Sequence, residues 1–254
     1  MRKDLSVYST VDLLRMIRDA ANDDDDFGYE ADICLFRRWR DGIDLDPLIE
    51  LMESKITGER LRGAYYLGEA IPRGDLKGAA EKLASDSLAY CRRTFVGYMT
   101  NTGLYSEAIA VALADRMLDL DQNVRIEIIN WAVYTTDDRF ADFAQRVESA
   151  SADRAAEKPW GESDAKRALR GLSIARRLRD GEAVEEIRKT TSEEDSNTFD
   201  YFQVFTSRLE HYAERRKTSA STAAAGTSTG YDEFEVGVLG EEYDNLGKLK
   251  SVLW

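Results

Sequence analysis

The sequence is poor in proline and lacks any long apolar run. Three prolines occur in 254 residues, far below the usual ~5%, which disfavours a turn-rich sheet protein and favours long uninterrupted helices. No window approaches the ~18 uncharged apolar residues that a membrane span needs. Charged residues also interrupt the first apolar stretch, so no signal peptide is predicted. The sequence therefore predicts a helical protein of the cytoplasm with no membrane partner.

Cysteine and histidine are almost absent. Two cysteines, Cys34 and Cys91, are too few for a disulfide framework, so both are predicted to be buried free thiols in a reducing cytoplasm. The single histidine, His211, lies among charged residues and is predicted to be on the surface. Neither a Cys-x-x-Cys nor a His-Glu-x-x-His pattern occurs. These absences predict no metal site, no cofactor and no catalytic residue, and hence a protein that is not an enzyme.

The charge balance excludes one class of partner. The chain carries 35 Lys and Arg against 48 Asp and Glu, for a net charge of −13. A protein that binds DNA, RNA or an anionic membrane needs the opposite balance. The acid excess is concentrated in residues 1–60, with a net charge of −6, and in residues 218–254, with a net charge of −4. No nucleic-acid partner is therefore expected.

Helical periodicity dominates residues 1–217. Ser9 and Thr10 precede one amphipathic stretch, and Asp46 with Pro47 has the form of a capped helix start. Residues 151–162 are the best internal linker. The remaining predicted helices cover residues 29–41, 57–71, 75–86, 89–102, 105–119, 123–135, 138–150, 163–179, 182–190 and 196–216.

Apolar columns repeat at about 30 residues. The second helices of three successive pairs align on Arg62, Arg92 and Arg125, with spacings of 30 and 33 residues. One helical pair cannot cover its own apolar face, so each unit needs the next one against it. The aligned apolar positions are Leu61, Cys91 and Val124; Tyr65, Phe95 and Ile128; and Tyr66, Val96 and Ile129.

These residues resemble a known family. The segments LRGAYYLGEA, residues 61–70, and DQNVRIEIINWAV, residues 121–133, are similar to second helices of HEAT-type repeats. The short period resembles the compact HEAT-like units of bacterial proteins, and the resemblance covers about residues 27–180. It implies an all-α fold, a HEAT-like α-solenoid of five to six helical hairpins over residues 1–217.

The C-terminal part has a different composition. Residues 218–230 contain only Thr, Ser, Ala and Gly, which is typical of a flexible linker. Residues 231–254 mix acids with large apolar residues. This last segment is predicted either to dock onto another protein or to cap the helical domain, because the ends of a solenoid need covering.

The predicted function follows from a helical repeat without a catalytic cluster. Such folds bind proteins on the surface lined by the second helices. Several bacterial HEAT-like families fit this size, among them small acidic immunity proteins that neutralise a toxin, often a basic nuclease. The alternatives are a HEAT-type enzyme similar to phycobilin lyases and a general adaptor or chaperone-like scaffold. The sequence does not specify the oligomeric state.

The aligned helices also predict the binding residues. Positions five, six and nine after the arginines are expected to point away from the repeat core, and aromatic residues beside polar ones favour binding hot spots. Ordinary packing between repeats is the alternative interpretation of the aromatic residues. The predicted interaction residues are Tyr98, Asn101, Asn130, Trp131 and Tyr134.

Overall fold

The computed structural model describes residues 5–20, 26–76, 78–157 and 161–224. These residues form thirteen α-helices and two short 3-10 turns, with no strand among them. The predicted all-helical class is confirmed for this part of the chain. The helices are α1 (Thr10–Ala20), α2 (Asp26–Arg40), α3 (Asp46–Glu53), α4 (Thr57–Ala70), α5 (Ala79–Leu83), α6 (Ala89–Thr102), α7 (Glu107–Met117), α8 (Gln122–Tyr134), α9 (Asp137–Ala156), α10 (Gly161–Arg179), α11 (Val184–Lys189), α12 (Ser196–Gln203) and α13 (Thr206–Ala224).

Polar side chains start several helices as their sequences suggest. The Ser9 hydroxyl accepts the backbone N–H of Asp12 at the start of α1, and the Asp121 carboxylate accepts two N–H groups at the start of α8. The predicted aspartate cap of α3 is wrong, because the helix begins one residue earlier. Asp46 lies inside its first turn, and Leu45 occupies the cap position without a side-chain bond.

Two predicted boundaries differ from the structure. Helix α9 continues to Ala156 and α10 begins at Gly161, so most of the predicted internal linker 151–162 is helical. The predicted helix 196–216 is divided into α12 and α13. The break follows Gln203, whose carbonyl accepts the Thr206 hydroxyl at 2.8 Å.

The predicted limit between the helical domain and the linker falls inside a helix. Helix α13 extends to Ala224, seven residues beyond the predicted boundary at 217/218. Alanine has the highest helix propensity, so an Ala-rich stretch can extend a helix that already exists. The rest of the predicted linker and the docking or capping segment 231–254 lie outside the described residues.

The helices are arranged as successive pairs in two rows. Short loops join α3 to α4, α5 to α6 and α7 to α8, and the two helices of each pair pack together. The second helices pack in the order α2, α4, α6, α8 and α10, while the first helices pack in the order α3, α5, α7 and α9. Each pair therefore covers an apolar face of the next, and α13 packs against α10.

The core includes one site of very close helix approach. A Cβ atom added at Gly63 in α4 would lie 2.8 Å from the Met52 backbone nitrogen in α3. Only a residue without a side chain allows this separation. Beside this contact Trp39 and Tyr66 pack edge to face, with ring centroids 4.7 Å apart.

One arginine contact recurs in α4, α6 and α8, in a register that differs from the sequence alignment. The Arg60, Arg92 and Arg125 guanidinium groups each donate to the backbone carbonyl six residues earlier in the chain. Arg60, rather than Arg62, is therefore the equivalent arginine of the first unit, and the spacings become 32 and 33 residues. In this register Tyr66, Tyr98 and Trp131 occupy the same position, and all three are buried.

Both cysteines are free thiols and the histidine is exposed, as the sequence predicts, but only one of the two thiols is buried. Cys34 is half-buried and Cys91 is buried, and both are free thiols. Burial raises the pKa of the Cys91 thiol to about 11. His211 is exposed on α13. No helix in the described ranges combines the length and the apolar character needed to cross a bilayer.

Candidate functional site

The predicted interaction residues do not form a surface. Tyr98, Asn130, Trp131 and Tyr134 are each no more than 9% exposed. Asn101 is half-buried, and its amide donates to the Gly97 carbonyl one turn earlier in the same helix. The expectation that these five side chains point away from the core is therefore wrong for four of them.

The contacts of the buried aromatic residues explain this result. The Tyr98 hydroxyl donates to the Pro72 carbonyl at 3.1 Å. The Trp131 ring stacks on Tyr105 at 6.0 Å and meets the edge of Phe143 at 5.2 Å. Aromatic pairs of this geometry stabilise a core beyond their buried area. Pro72 and Phe143 belong to neighbouring helical pairs, so the packing interpretation of Tyr98 and Trp131 is the correct one.

Helix α13 covers the end of α8. The Tyr134 and Tyr212 rings meet at 4.8 Å, and the Arg208 guanidinium lies 4.2 Å from the Tyr134 ring centroid. Arg179 in α10 donates to three backbone groups at the end of α8, including the Thr135 carbonyl at 2.8 Å. Helix α8 is thus enclosed by other helices, and it offers no aromatic side chain to a partner.

Ion pairs connect the helical units in the interior. Arg60 pairs with Asp86 at 2.6 Å, and Arg92 and Arg116 both pair with Asp119. We call these five residues the arginine–aspartate ladder. Burial alone would raise the pKa of Asp119. Its hydrogen bonds with Arg92 and with the Asp121 N–H, together with the nearby positive charges, have the larger and opposite effect, so the pKa is lowered. The ladder therefore stabilises the packing between successive helical pairs.

The arginine-rich helix α10 has a similar explanation. Its guanidinium groups bind carboxylates of α10 itself and of neighbouring elements, so the cluster is neutralised rather than presented as a basic surface. The pairs are Arg167 with Asp164, Arg170 with Glu194 and Asp195, Arg176 with Glu148, Arg177 with Glu182, and Arg179 with Asp137.

A cleft of about 510 Å³ opens beside the ladder. Helix α9 is longer than α7, and its last turns overhang the loop after α7, with Ala150 and Arg154 on one side and Leu118 and Leu120 on the other. The ladder residue Asp119 forms part of the wall. Charged side chains dominate the lining, so the cleft lacks the mainly apolar lining of most small-molecule sites.

Two exposed tyrosines and one half-buried tyrosine lie on three successive second helices. Tyr29 in α2 is 69% exposed and Tyr90 in α6 is 36% exposed, and Tyr65 in α4 is half-buried between them. The electrostatic neighbours of the Tyr65 hydroxyl include both other tyrosines. We call Tyr29, Tyr65 and Tyr90 the tyrosine surface, because they form one patch across three helices.

Aromatic packing below the patch holds Tyr65 in place. Its ring meets the edge of Phe36 at 5.6 Å and lies 5.5 Å from Tyr66. The Tyr66 hydroxyl in turn donates to the Asp32 carboxylate at 2.5 Å. Two helix-borne rings and a partly buried hydrogen bond therefore support Tyr65, which limits the entropy that a binding partner would have to remove.

Charged groups surround the tyrosine surface. Burial first, and then the nearby Asp32 and Glu69 carboxylates, raise the pKa of Tyr65 to about 12. The Arg93 guanidinium lies 5.5 Å from the Tyr90 ring centroid. Arg93 also interacts electrostatically with Glu127 of α8. Burial raises the pKa of Glu127, and the positive charge of Arg93 offsets only part of this increase. The patch thus combines phenol rings with acids and one closely held base.

The sequence alignment assigned Tyr65 to an apolar core column because its register was shifted in that unit, and it did not consider the position of Tyr90. Tyr65 and Tyr90 lie five residues after Arg60 and two residues before Arg92. Both positions fall on the outer side of the second helices in the corrected register. The recurring bond to the carbonyl six residues earlier is the signal that identifies this register, and it can be detected only in the structure.

The chain was compared with protein-family models, with curated proteins and with solved structures, and none of them matches it.

Proposed function

We propose that the chain is a protein-binding module whose helical pairs stack as a HEAT-like α-solenoid of five to six hairpins. The support is the pair-on-pair packing of α2 to α10 in two rows. The ladder repeats the same arginine–aspartate contact from unit to unit, with Arg60 on Asp86 and Arg92 on Asp119. A stack of this kind presents its second helices as one continuous face.

The single observation that carries the proposal is the tyrosine surface. Exposed tyrosines beside charged groups are the composition that protein–protein hot spots favour. Tyr29, Tyr65 and Tyr90 come from three separate helical pairs, so a ligand that covers them must span roughly two repeat spacings of about 10 Å each. That extent suits a protein surface better than a small molecule.

The narrower proposal is that the ligand is a toxin and the chain its immunity protein in the cytoplasm. A small acidic helical-repeat protein with a net charge of −13 suits a basic toxin domain. The acid excess would steer such a partner to the surface and raise the association rate. The function would be non-enzymatic, since tight binding alone inactivates the toxin.

Purification from the native host tests the binding proposal. The full chain is isolated under mild conditions, and co-eluting proteins are identified by mass spectrometry. One stoichiometric partner supports a dedicated binding module. A pigment-carrying subunit or a series of unrelated partners would instead indicate a lyase-like protein or a general adaptor, and elution without any partner would contradict the proposal.

Toxicity tests the narrower proposal. The co-purified partner is expressed in a host that lacks the chain, and growth is compared with and without co-expression of the chain. Growth arrest that the chain relieves is the expected result. A harmless partner would overturn the immunity function and leave the binding module intact.

A further inference from the structure

We infer that two copies of this chain associate through an exposed apolar patch formed by Val7, Val11 and Ile43. We call these three residues the valine–isoleucine patch. The inference does not depend on the tyrosine surface, because it concerns a second interface with a different occupant. Two observations lead to it: large apolar side chains that lie together in the open, and surrounding charges that sum to zero.

The first observation is the exposure of the patch. Val7 is 77% exposed, Val11 is 54% exposed and Ile43 is 55% exposed. Single exposed apolar residues are common on protein surfaces, whereas apolar residues grouped inside a polar border mark sites of association. Removing the three side chains from water would favour association in proportion to the apolar area covered.

Hydrogen bonds of Arg38 fix the first part of the patch. The Arg38 guanidinium donates to the Ser6 carbonyl at 2.7 Å and to the Tyr8 carbonyl at 2.6 Å. Val7 lies between these two acceptors in the chain. The backbone on both sides of Val7 is therefore held against α2, and the Val7 side chain is exposed from an anchored segment.

The same arginine connects the other two residues of the patch. Its Nη1 donates to the Thr10 hydroxyl at 3.5 Å, at the residue before Val11. Its backbone carbonyl accepts the N–H of Ile43 at 2.9 Å. The valines thus lie near the guanidinium of Arg38 and the isoleucine near its backbone, so the three side chains share one region of the surface.

The second observation is the charge around the patch. Residues 37–46 contain three arginines and three aspartates, and α1 contains two of each. Within α1 the Asp12 carboxylate pairs with Arg15 at 3.2 Å. These surroundings have no net charge, whereas the whole chain has a net charge of −13. Two such chains repel each other through their net charge, and a neutral region is where they can approach most closely.

Mixed charges favour a second copy over a partner of one sign. In a two-fold dimer the same surface meets itself, so an arginine of one copy can face an aspartate of the other. Exposed residues of both signs lie between the end of α2 and the start of α3, and their side chains form no ion pair among the described residues. They are Arg37, Arg40, Asp41 and Asp44. A strongly basic or strongly acidic partner would be repelled by one of these two sets.

Analytical ultracentrifugation of the full chain provides the direct test. A monomer–dimer equilibrium is expected, with a Kd of about 10–100 µM, because the patch is small. The mass is measured from well below to well above this range of concentration. The mass of a single chain at every concentration would overturn the inference. A mass that grows beyond two chains would show an open head-to-tail contact and would also overturn it.

Charged substitutions locate the interface. Val7→Asp and Ile43→Asp each bring one carboxylate from each copy into a two-fold interface, so each should raise the dimer Kd about tenfold or more. Val204→Asp adds the same charge at a site that is 78% exposed and outside the patch, and it should leave the Kd unchanged. Circular dichroism checks that every variant keeps the native helix content. Equal effects of Val204→Asp and Ile43→Asp would contradict the inference.

The tyrosine surface provides a second control. Tyr29 lies nine residues before Arg38 in α2, about 14 Å away along the helix axis. Tyr29→Ala should therefore leave the dimer intact, and Ile43→Asp should bind the co-purified partner with normal affinity. Loss of that partner in Ile43→Asp would assign the patch to the partner and overturn the inference of a second copy. A dimer without any co-purified partner would support this inference while the proposed function fails.

Discussion

Asp119 accepts the Nε–H of Arg92 at 2.6 Å and joins one helical pair to the next. Its second oxygen accepts from Arg92 Nη2 at 2.9 Å and from the Asp121 backbone N–H at 2.9 Å. The Asp119 side chain is 3% exposed and that of Arg92 is 14% exposed. The contact is therefore a shielded ion pair with its hydrogen bonds satisfied, which is the condition under which breaking the pair costs most.

Replacing Asp119 should destabilise the whole fold. Asp119→Asn removes the negative charge and leaves Arg92 and Arg116 without their common partner, so we expect the free energy of unfolding to fall by about 3 kcal/mol. Urea denaturation measures this free energy of unfolding. Glu186→Gln, which breaks an exposed pair with Lys189, is the control and should change the stability little. Equal small effects would contradict a structural role for the ladder.

The ladder also predicts acid sensitivity. The pKa of Asp86 and of Asp119 is lower in the folded chain than the ordinary aspartate value of 3.8. Ionised aspartates of this kind stabilise the fold when the pH is above that ordinary pKa. The stabilisation is lost as the pH falls through the lowered pKa. The free energy of unfolding should therefore decline below about pH 4. In Asp119→Asn the decline should be shallower, and an identical slope would exclude Asp119 as a cause.

Two helical glycines should respond in opposite directions. An added Cβ at Gly63 would lie 2.8 Å from the Met52 nitrogen, whereas a Cβ at Gly97 would meet no atom within 4 Å. Gly63→Ala should cost about 1–3 kcal/mol because helix α4 must move away from α3. Gly97→Ala should stabilise α6 by about 0.5–1 kcal/mol through helix propensity. Thermal denaturation of both variants tests this contrast. Equal shifts of the melting temperature in the two variants would contradict it.

Trp131 should act as a core residue. The indole is 3% exposed and packs between Tyr105 and Phe143. Trp131→Ala is expected to cost about 3–5 kcal/mol, as for other large aromatic truncations in cores. Val204, which is 78% exposed, provides the control, since Val204→Ala should leave the melting temperature nearly unchanged. A loss below about 1 kcal/mol for Trp131→Ala would mean that the ring is accessible after all.

The sequence predicted the helices because their signals are local. Apolar periodicity and start residues such as Ser9 and Asp121 act within one or two turns. The predicted register of the first unit is wrong for a related reason. Arg60 and Arg62 are two residues apart, and apolar matching selects Arg62 because Leu61 and Tyr65 then fall in apolar columns. In the structure Leu61 is exposed, and the carbonyl of Ser54 identifies Arg60.

The exposure of the tyrosine surface could not be predicted without tertiary information. Trp131 and Tyr90 are both aromatic residues on second helices, and composition does not tell which of them faces solvent. Helix α8 is enclosed by α6, α7, α10 and α13, so its residues are buried on nearly every side. Helix α6 leaves Tyr90 at its first turn exposed. Long-range packing, which sequence periodicity does not contain, makes this difference.

The affinity of the Tyr29→Ala/Tyr90→Ala double variant for the co-purified partner tests the central claim most directly. Tyr29 is 69% exposed and Tyr90 is 36% exposed, so the variant should stay folded at the assay temperature although its melting temperature falls. Calorimetry should show binding weakened by about 2 kcal/mol or more, as for hot-spot tyrosines. The Tyr29→Phe/Tyr90→Phe variant keeps the rings and should bind normally. Unchanged affinity of the double alanine variant would contradict the claim that the tyrosine surface is the binding site.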